Sequence, residues 1–358
     1  MELILHIGIG KSGTSSIQHL LRENRDVLKE RGILYVGYMF DRLENKVCEW
    51  QTVKGTQIFN KSDKSIREEQ LKLVLNEAIK EAKKSHCHQI LWSNEALADM
   101  KYLPKLVRKL FTGKMTTIAF VRRHDSWAVS AYKQWGIKHK IFQGEVLSFD
   151  SWVARYPHTY YEKLSLWKDS SDNLIVKNFE KYSNITKVFF ELINIDIDIS
   201  ETNEKRNKSG DMFDLLSAAV FNSLDPHPSL YTETQEFVKG RAFTIDWFNN
   251  KLPDQESIER VFQSTASDRE QLNTLMSEED QFDLDGDCLT LHALKLSQDT
   301  FEEFTNACIF TLIYQQKTLT SKVEQLEERL AKLEMQSESV KSNRPWIVGR
   351  NKYFGRAE

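Results

Sequence analysis

The stretch His6-Ile7-Gly8-Ile9-Gly10-Lys11-Ser12-Gly13-Thr14-Ser15-Ser16 gathers glycines, a lysine and a run of hydroxyls. Glycines let a backbone approach an anion closely. A helix that starts just after them offers free N–H groups and the positive end of its dipole. Lys11 adds a full positive charge, and Ser12, Thr14, Ser15 and Ser16 add further donors. Residue types in this order suit the phosphates of a nucleotide-type donor.

Three enzyme classes use such an element. Gly8-x-Gly10-x-x-Gly13 matches the dinucleotide fingerprint of a Rossmann dehydrogenase. That pattern also needs an acidic ribose ligand about 20 residues on, and the acidic residue after the second apolar run, Asp41, comes late. Gly10-Lys11-Ser12 matches the end of the P-loop pattern of nucleotide kinases, but Leu5 stands where its first glycine belongs. The third class depends on a second basic group. Val121-Arg122-Arg123-His124-Asp125-Ser126-Trp127-Ala128-Val129-Ser130 sets Arg122 just after an apolar run and Ser130 eight residues later. An arginine can fork onto a phosphate, and a serine can add a neutral hydrogen bond.

Taken together, positions 6–18 and the Arg122–Ser130 pair resemble the two signature motifs of sulfotransferases that use 3′-phosphoadenosine 5′-phosphosulfate, of the bacterial and carbohydrate type. The resemblance implies that Lys11 neutralises the leaving phosphate oxygen. It implies that Ser12, Gly13, Thr14, Ser15 and Ser16 surround the 5′-phosphosulfate, and that Arg122 and Ser130 clamp the 3′-phosphate. No metal is required in that scheme. Arg206-Asn207-Lys208-Ser209-Gly210 resembles a later basic loop of the family that also reaches the 3′-phosphate, so Arg206 and Lys208 join the donor-binding set; a solvated turn is the equal alternative. The familiar pattern carries a proline shortly after the arginine, and here Arg123-His124-Asp125 takes its place. Glu95, in Trp92-Ser93-Asn94-Glu95, resembles the glutamate base of several glycan sulfotransferases. A carboxylate in a partly apolar cleft can have its pKa raised toward neutrality. The other reading of Glu95 is a helix-initiating residue stabilised by the dipole. His6 and His124 are the remaining candidate bases, and His6 lies inside an apolar run that suits a packed histidine.

These residues need elements to carry them. Residues 2–7, 32–36, 89–93, 115–121 and 174–177 are short apolar runs that predict strands. Helical patterns lie between them: from Thr14, with Ile17, Leu20, Leu21 and Leu28 on one stripe; over 64–84; over 101–111; and over 126–138. Strands alternating with helices predict an α/β fold with a P-loop-like parallel sheet flanked by helices. Ligands on such sheets bind at the carboxyl ends of the strands, and Lys11, Glu95 and Arg122 all follow strands.

The chain has 358 residues, 40% hydrophobic and 28% charged, with a formal net charge of −3. That balance gives no sign of a nucleic-acid partner. Its 4 cysteines are scattered, which favours a reducing compartment over a disulfide or zinc framework. His86-Cys87-His88 is too tightly spaced to converge on one ion, and Asp283-Leu284-Asp285-Gly286-Asp287 has its glycine misplaced for a calcium loop, so it reads as a surface turn. Asp225-Pro226-His227-Pro228 is a second turn signal. No run reaches the roughly 20 apolar residues that span a bilayer, and the N-terminus lacks a signal-peptide pattern. A cytoplasmic location is expected, with peripheral contact at the inner membrane surface as an option.

The expected organisation is a sulfotransferase domain over 1–303, with an α/β core over about 1–200 and a helical extension over about 210–303. A coiled-coil helix over 304–336 and a basic-aromatic tail over 337–358 follow. Leu312, Gln316, Leu319, Val323, Leu326, Leu330 and Leu333 alternate at spacings of four and three, a heptad seam that predicts a homo-oligomer. Packing back on the chain's own domain is the other reading. The tail interleaves Lys341, Arg344, Arg350, Lys352 and Arg356 with Trp346, Tyr353 and Phe354, which suits an anionic membrane surface or a disordered end. Tyr132, Lys133, Gln134, Trp135 and Lys138 either line an acceptor site or form an ordinary helix face. The overall expectation is transfer of a sulfuryl group to a glycan or glycolipid. A nucleotide kinase, or an inactive scaffold that keeps the fold and uses the coil, remains the alternative.

Overall fold

The computed structural model describes residues 1–196, 212–224, 244–290 and 297–342. The chain divides into two compact units, 1–295 and 296–358. The first is built on five strands: β1 (Glu2–His6), β2 (Ile33–Gly37), β3 (Gln89–Ser93), β4 (Lys114–Val121) and β5 (Asn173–Asn178). Every pairing is parallel, in the order β2-β3-β1-β4-β5. Leu3, Ile4 and Leu5 of β1 and Ile90, Leu91 and Trp92 of β3 are all buried. Strands apolar on both faces need cover on both faces, which parallel crossovers supply.

In chain order the helices of this core are α1 (Thr14–Glu23), α2 (Arg25–Glu30), α3 (Gly55–Lys61), α4 (Lys64–Lys84), α5 (Leu103–Leu110), α6 (His124–Ala131), α7 (Phe149–Arg155), α8 (Tyr161–Ser170) and α9 (Ile185–Leu192). Ile17, Leu20 and Leu21 of α1, Leu28 of α2 and Phe189 and Phe190 of α9 pack with Ile4, Leu91, Ile118 and Phe120 on one face. α4 packs against β2 and β3, α8 against β5, and α5 joins them. α10 (Met212–Leu224), α11 (Ile245–Asn249), α12 (Gln255–Ser264) and α13 (Ala266–Asn273) make up the described helical extension.

The sequence pattern runs Leu28 on from α1, but the helix breaks at Asn24. There the side-chain amide donates to the Leu20 carbonyl at 2.9 Å and the backbone N–H donates to the same oxygen at 2.9 Å. Leu28 is carried instead by α2, on the same side of the sheet.

Because β1, β3, β4 and β5 run parallel, their carboxyl ends meet along one edge. His6 is level with Ser93 on one side and Ile118 on the other. The segments that leave this edge are the glycine-rich loop, a 3-10 turn at Glu95–Asp99, the Arg122 corner and a 3-10 turn at Phe179–Lys181.

The second unit contains α14 (Gln298–Ser342), 45 residues long. No described helix is long and apolar enough to cross a membrane. The 225–228 turn signal and the tail from 343 onward lie outside the described residues.

Candidate active site

The loop between β1 and α1 is stitched to β4. Ile7 donates to Ile118 at 3.1 Å, Ile9 to Phe120 at 3.3 Å, and Phe120 back to Gly8 at 3.1 Å. Gly8 has φ +90°, and a Cβ there would lie 2.7 Å from Glu95 Cα. At Gly10 a Cβ would lie 2.9 Å from the Trp135 ring and 3.9 Å from Glu95 Oε2. The two glycines thus bring the Glu95 backbone and the Trp135 indole against the loop. Lys11 itself is left-handed, with φ 70°. Such a backbone turns successive N–H groups toward a common centre. Among the described residues, the N–H groups of Gly10 through Ser15 donate to no protein acceptor.

The hydroxyls divide into two sets. Ser12 and Thr14 are buried and both donate to the Ile9 carbonyl, Thr14 at 3.2 Å, so they shape the loop from inside. Ser15 is exposed at the helix start and Ser16 is half-buried. Gly13 lies against Phe179 and Ile185. Trp127 of α6 donates from its indole to the Gly10 carbonyl at 3.0 Å and stacks on His158 at 3.6 Å between ring centres. The sequence carries no local sign of this brace, which joins residues far apart in the chain.

Glu95 opens the 3-10 turn after β3. Asn94 accepts from Ala96 N–H at 2.8 Å and donates to the Tyr38 carbonyl at 3.0 Å, which sets the direction of the turn. Burial raises the Glu95 pKa, the Lys11 ammonium lowers it, and Asp99 raises it. The Tyr38 phenol, missed in the sequence, is pushed up to about 12 by burial and by Glu95. Lys11 is held below the usual lysine range by burial, then by Arg122, with Glu95 pulling upward and Lys138 adding to the depression. Lys11, Glu95, Arg122 and Lys138 therefore share one electrostatic neighbourhood.

Arg122 follows β4. Its Nε lies 3.3 Å from Glu180 Oε1, its guanidinium lies 5.5 Å from the centre of the Phe179 ring, and its carbonyl accepts from Tyr160 at 2.8 Å. Ser130 is half-buried, and among the described residues its hydroxyl makes no bond, to its own helix or elsewhere. Lys133, three residues on, is half-buried and forms no ion pair among the described residues; burial and then Arg122 depress its pKa. The helix widens to a π turn over Tyr132–Lys138, a distortion frequent at functional sites.

Arg123, His124 and Asp125 turn away to dock the helical extension. Arg123 pairs with Asp125 at 2.8 Å, buried Asp125 also accepts from Leu289 N–H at 2.6 Å, and His124 meets Asp268 at 2.7 Å. His6 is fully buried, bonded to Ser93 Oγ at 2.7 Å and neutral, its pKa lowered to about 3 by burial. Tyr132 is a core anchor, donating to the carbonyls of Leu147 at 2.6 Å and Lys251 at 2.7 Å. Arg206 and Lys208 lie outside the described residues. Among the described residues no group of three His, Cys, Asp or Glu converges as a metal site.

No family model matches the chain, and no curated protein matches it. Among solved structures it is similar to a sulfotransferase from Alicyclobacillus acidocaldarius, at 12% identity and a TM-score of 0.40. That match covers 76% of this chain and 94% of the other. A likeness at that level fixes no chemistry.

Proposed function

We propose that this protein is a sulfotransferase that moves the sulfuryl group of 3′-phosphoadenosine 5′-phosphosulfate to a hydroxyl or amine of a glycan or glycolipid. The observation that carries the proposal is the convergence of Lys11, Glu95 and Arg122 at one sheet edge, around a loop whose N–H groups meet no acceptor among the described residues. The donor carries two anionic ends, and the residues fit both. The loop N–H groups, Ser15 and the start of α1 suit the 5′-phosphosulfate. Arg122, the Ser130 hydroxyl and Lys133 suit the 3′-phosphate.

Transfer asks for in-line geometry and for stabilised charge on the leaving group. The acceptor oxygen gives its proton to Glu95 and forms a bond to sulfur. The bond from sulfur to the 5′-phosphate oxygen breaks, and the Lys11 ammonium neutralises that oxygen. The products are a sulfate ester and adenosine 3′,5′-bisphosphate, and Glu95 then returns its proton to solvent. Trp135 supports a sugar acceptor. It stands half-buried beside Gly10 and near the Glu95 carboxylate, where an indole face can stack on a pyranose ring.

The test is transfer of labelled sulfate from the donor to a panel of glycans, with Glu95→Gln in parallel. Labelled product from the unaltered chain, lost with Glu95→Gln, supports the proposal. Stabilisation of the protein by ATP and not by adenosine 3′,5′-bisphosphate overturns it.

A further inference from the structure

α14 carries an apolar stripe along a charged helix. Ile309, Leu319, Val323, Leu326, Leu330 and Leu333 are all exposed, from 46% at Ile309 to 62% at Leu319 and Leu326. In heptad terms Ile309, Gln316, Val323 and Leu330 occupy the a positions, and Leu312, Leu319, Leu326 and Leu333 the d positions. A stripe of this length on a 45-residue helix calls for cover by another surface.

We propose that the stripe is the seam of a parallel, in-register, two-stranded coiled coil with a second copy of this chain. Three features of the sequence on this helix select that occupant. Valine at a with leucine at d favours two strands. Gln316 at an a position favours a register in which the two glutamines meet, as a buried polar pair does in such coils. The flanking charges then choose the direction. Lys322 is at g and Glu327 at the following e, and both are exposed. In a parallel pair, g of one helix faces the following e of the other, so Lys322 of one copy meets Glu327 of the second, twice by symmetry. The sequence repeats the arrangement one heptad later with Arg329 at g and Glu334 at e. In an antiparallel pair g faces g and e faces e, which sets lysine and arginine against each other and glutamate against glutamate. The consequence of the parallel arrangement is that both copies of the preceding unit enter the coil from the same end.

Sedimentation equilibrium of the full chain at micromolar concentration tests the pairing. The expected mass is twice the chain's 41.9 kDa. Val323→Glu with Leu330→Glu is expected to return the mass to that of one chain, with the thermal melting of the preceding unit unchanged. Lys322→Glu with Arg329→Glu keeps every seam residue in place and is expected to lower the dimer fraction as well. Direction and register are read from Leu326→Cys under mild oxidation. Identical d positions meet in the parallel form, so a disulfide-linked dimer is expected above the background of the four native cysteines. A single-chain mass for the unaltered protein overturns the proposal, because something other than a second copy then covers the stripe. A dimer that survives the seam substitutions places the interface elsewhere and also overturns it. A dimer in which Leu326→Cys forms no link overturns the parallel register.

Discussion

Glu95 is under opposed influences: burial lifts its pKa, while the nearby Lys11 ammonium draws it down. The net direction is upward from the ordinary 4.5. A base works only when ionised, so transfer is expected to switch on as pH rises through that elevated value. The acidic limb of a rate–pH profile should therefore lie above the ordinary glutamate value. Glu95→Gln should lower the rate by about 100-fold or more, and an unchanged rate removes the base assignment. Arg122→Ala should weaken adenosine 3′,5′-bisphosphate by about 10- to 100-fold, the worth of a charged hydrogen bond. Adenosine 5′-phosphosulfate, which lacks the 3′-phosphate, should bind as before, and calorimetry that finds equal losses for both refutes the clamp. His6 makes its prediction through stability. Its pKa is about 3 in the folded chain against 6.5 when unperturbed. Between those values the unfolded chain binds a proton that the folded chain does not. Stability is thus complete above pH 6.5 and lost as pH falls toward 3, by up to about 1.4 kcal/mol per pH unit. In urea titrations His6→Asn should flatten that slope, and a slope as steep as before would assign it to other groups.

The elements bring these residues together, and one brace between elements can be tested directly. Trp127→Phe keeps an aromatic ring on α6 but removes the donor to the Gly10 carbonyl. The expected cost is about 0.5–1.5 kcal/mol of stability, with weaker bisphosphate binding as the loop loosens. Chemical denaturation beside calorimetry measures both, and binding that is untouched would show that the loop holds its shape without α6. Much of this scale was legible in the sequence. The strands are continuous apolar runs, and Gly8 and Gly10 mark the end of the first. Glu95 and Arg122 could be placed at strand ends because each directly follows such a run. The break at Asn24 was not legible, since Leu28 keeps the helical period while a side-chain bond to Leu20 ends the helix. Nor was the role of Arg123-His124-Asp125, whose partners Asp268 and Leu289 lie more than 140 positions away in the chain. Tyr38 escaped for the same reason: pattern reports what a residue is beside in sequence, and Tyr38 meets Glu95 only in space.

For the whole molecule the most direct measure is ligand-linked stability. A ligand that binds the folded chain alone, present at about 100 times its dissociation constant, stabilises it by about 2.7 kcal/mol. Adenosine 3′,5′-bisphosphate is expected to raise the melting temperature, with ATP and NAD giving smaller shifts. The shift should shrink with added salt, because the neighbourhood of Lys11, Arg122 and Lys133 attracts the ligand by charge. A rise with NAD and none with the bisphosphate would point to the dinucleotide chemistry that the glycine spacing also fits.

The left-handed backbone of Lys11 sets two kinds of selection against each other. A side chain at φ 70° is held at a cost of about 1–2 kcal/mol, and glycine there would relieve it. Breeding the protein for heat resistance alone should therefore drift position 11 toward glycine, while breeding it for turnover should return lysine each time. The residue that emerges at that one position would report which demand the lineage had been answering.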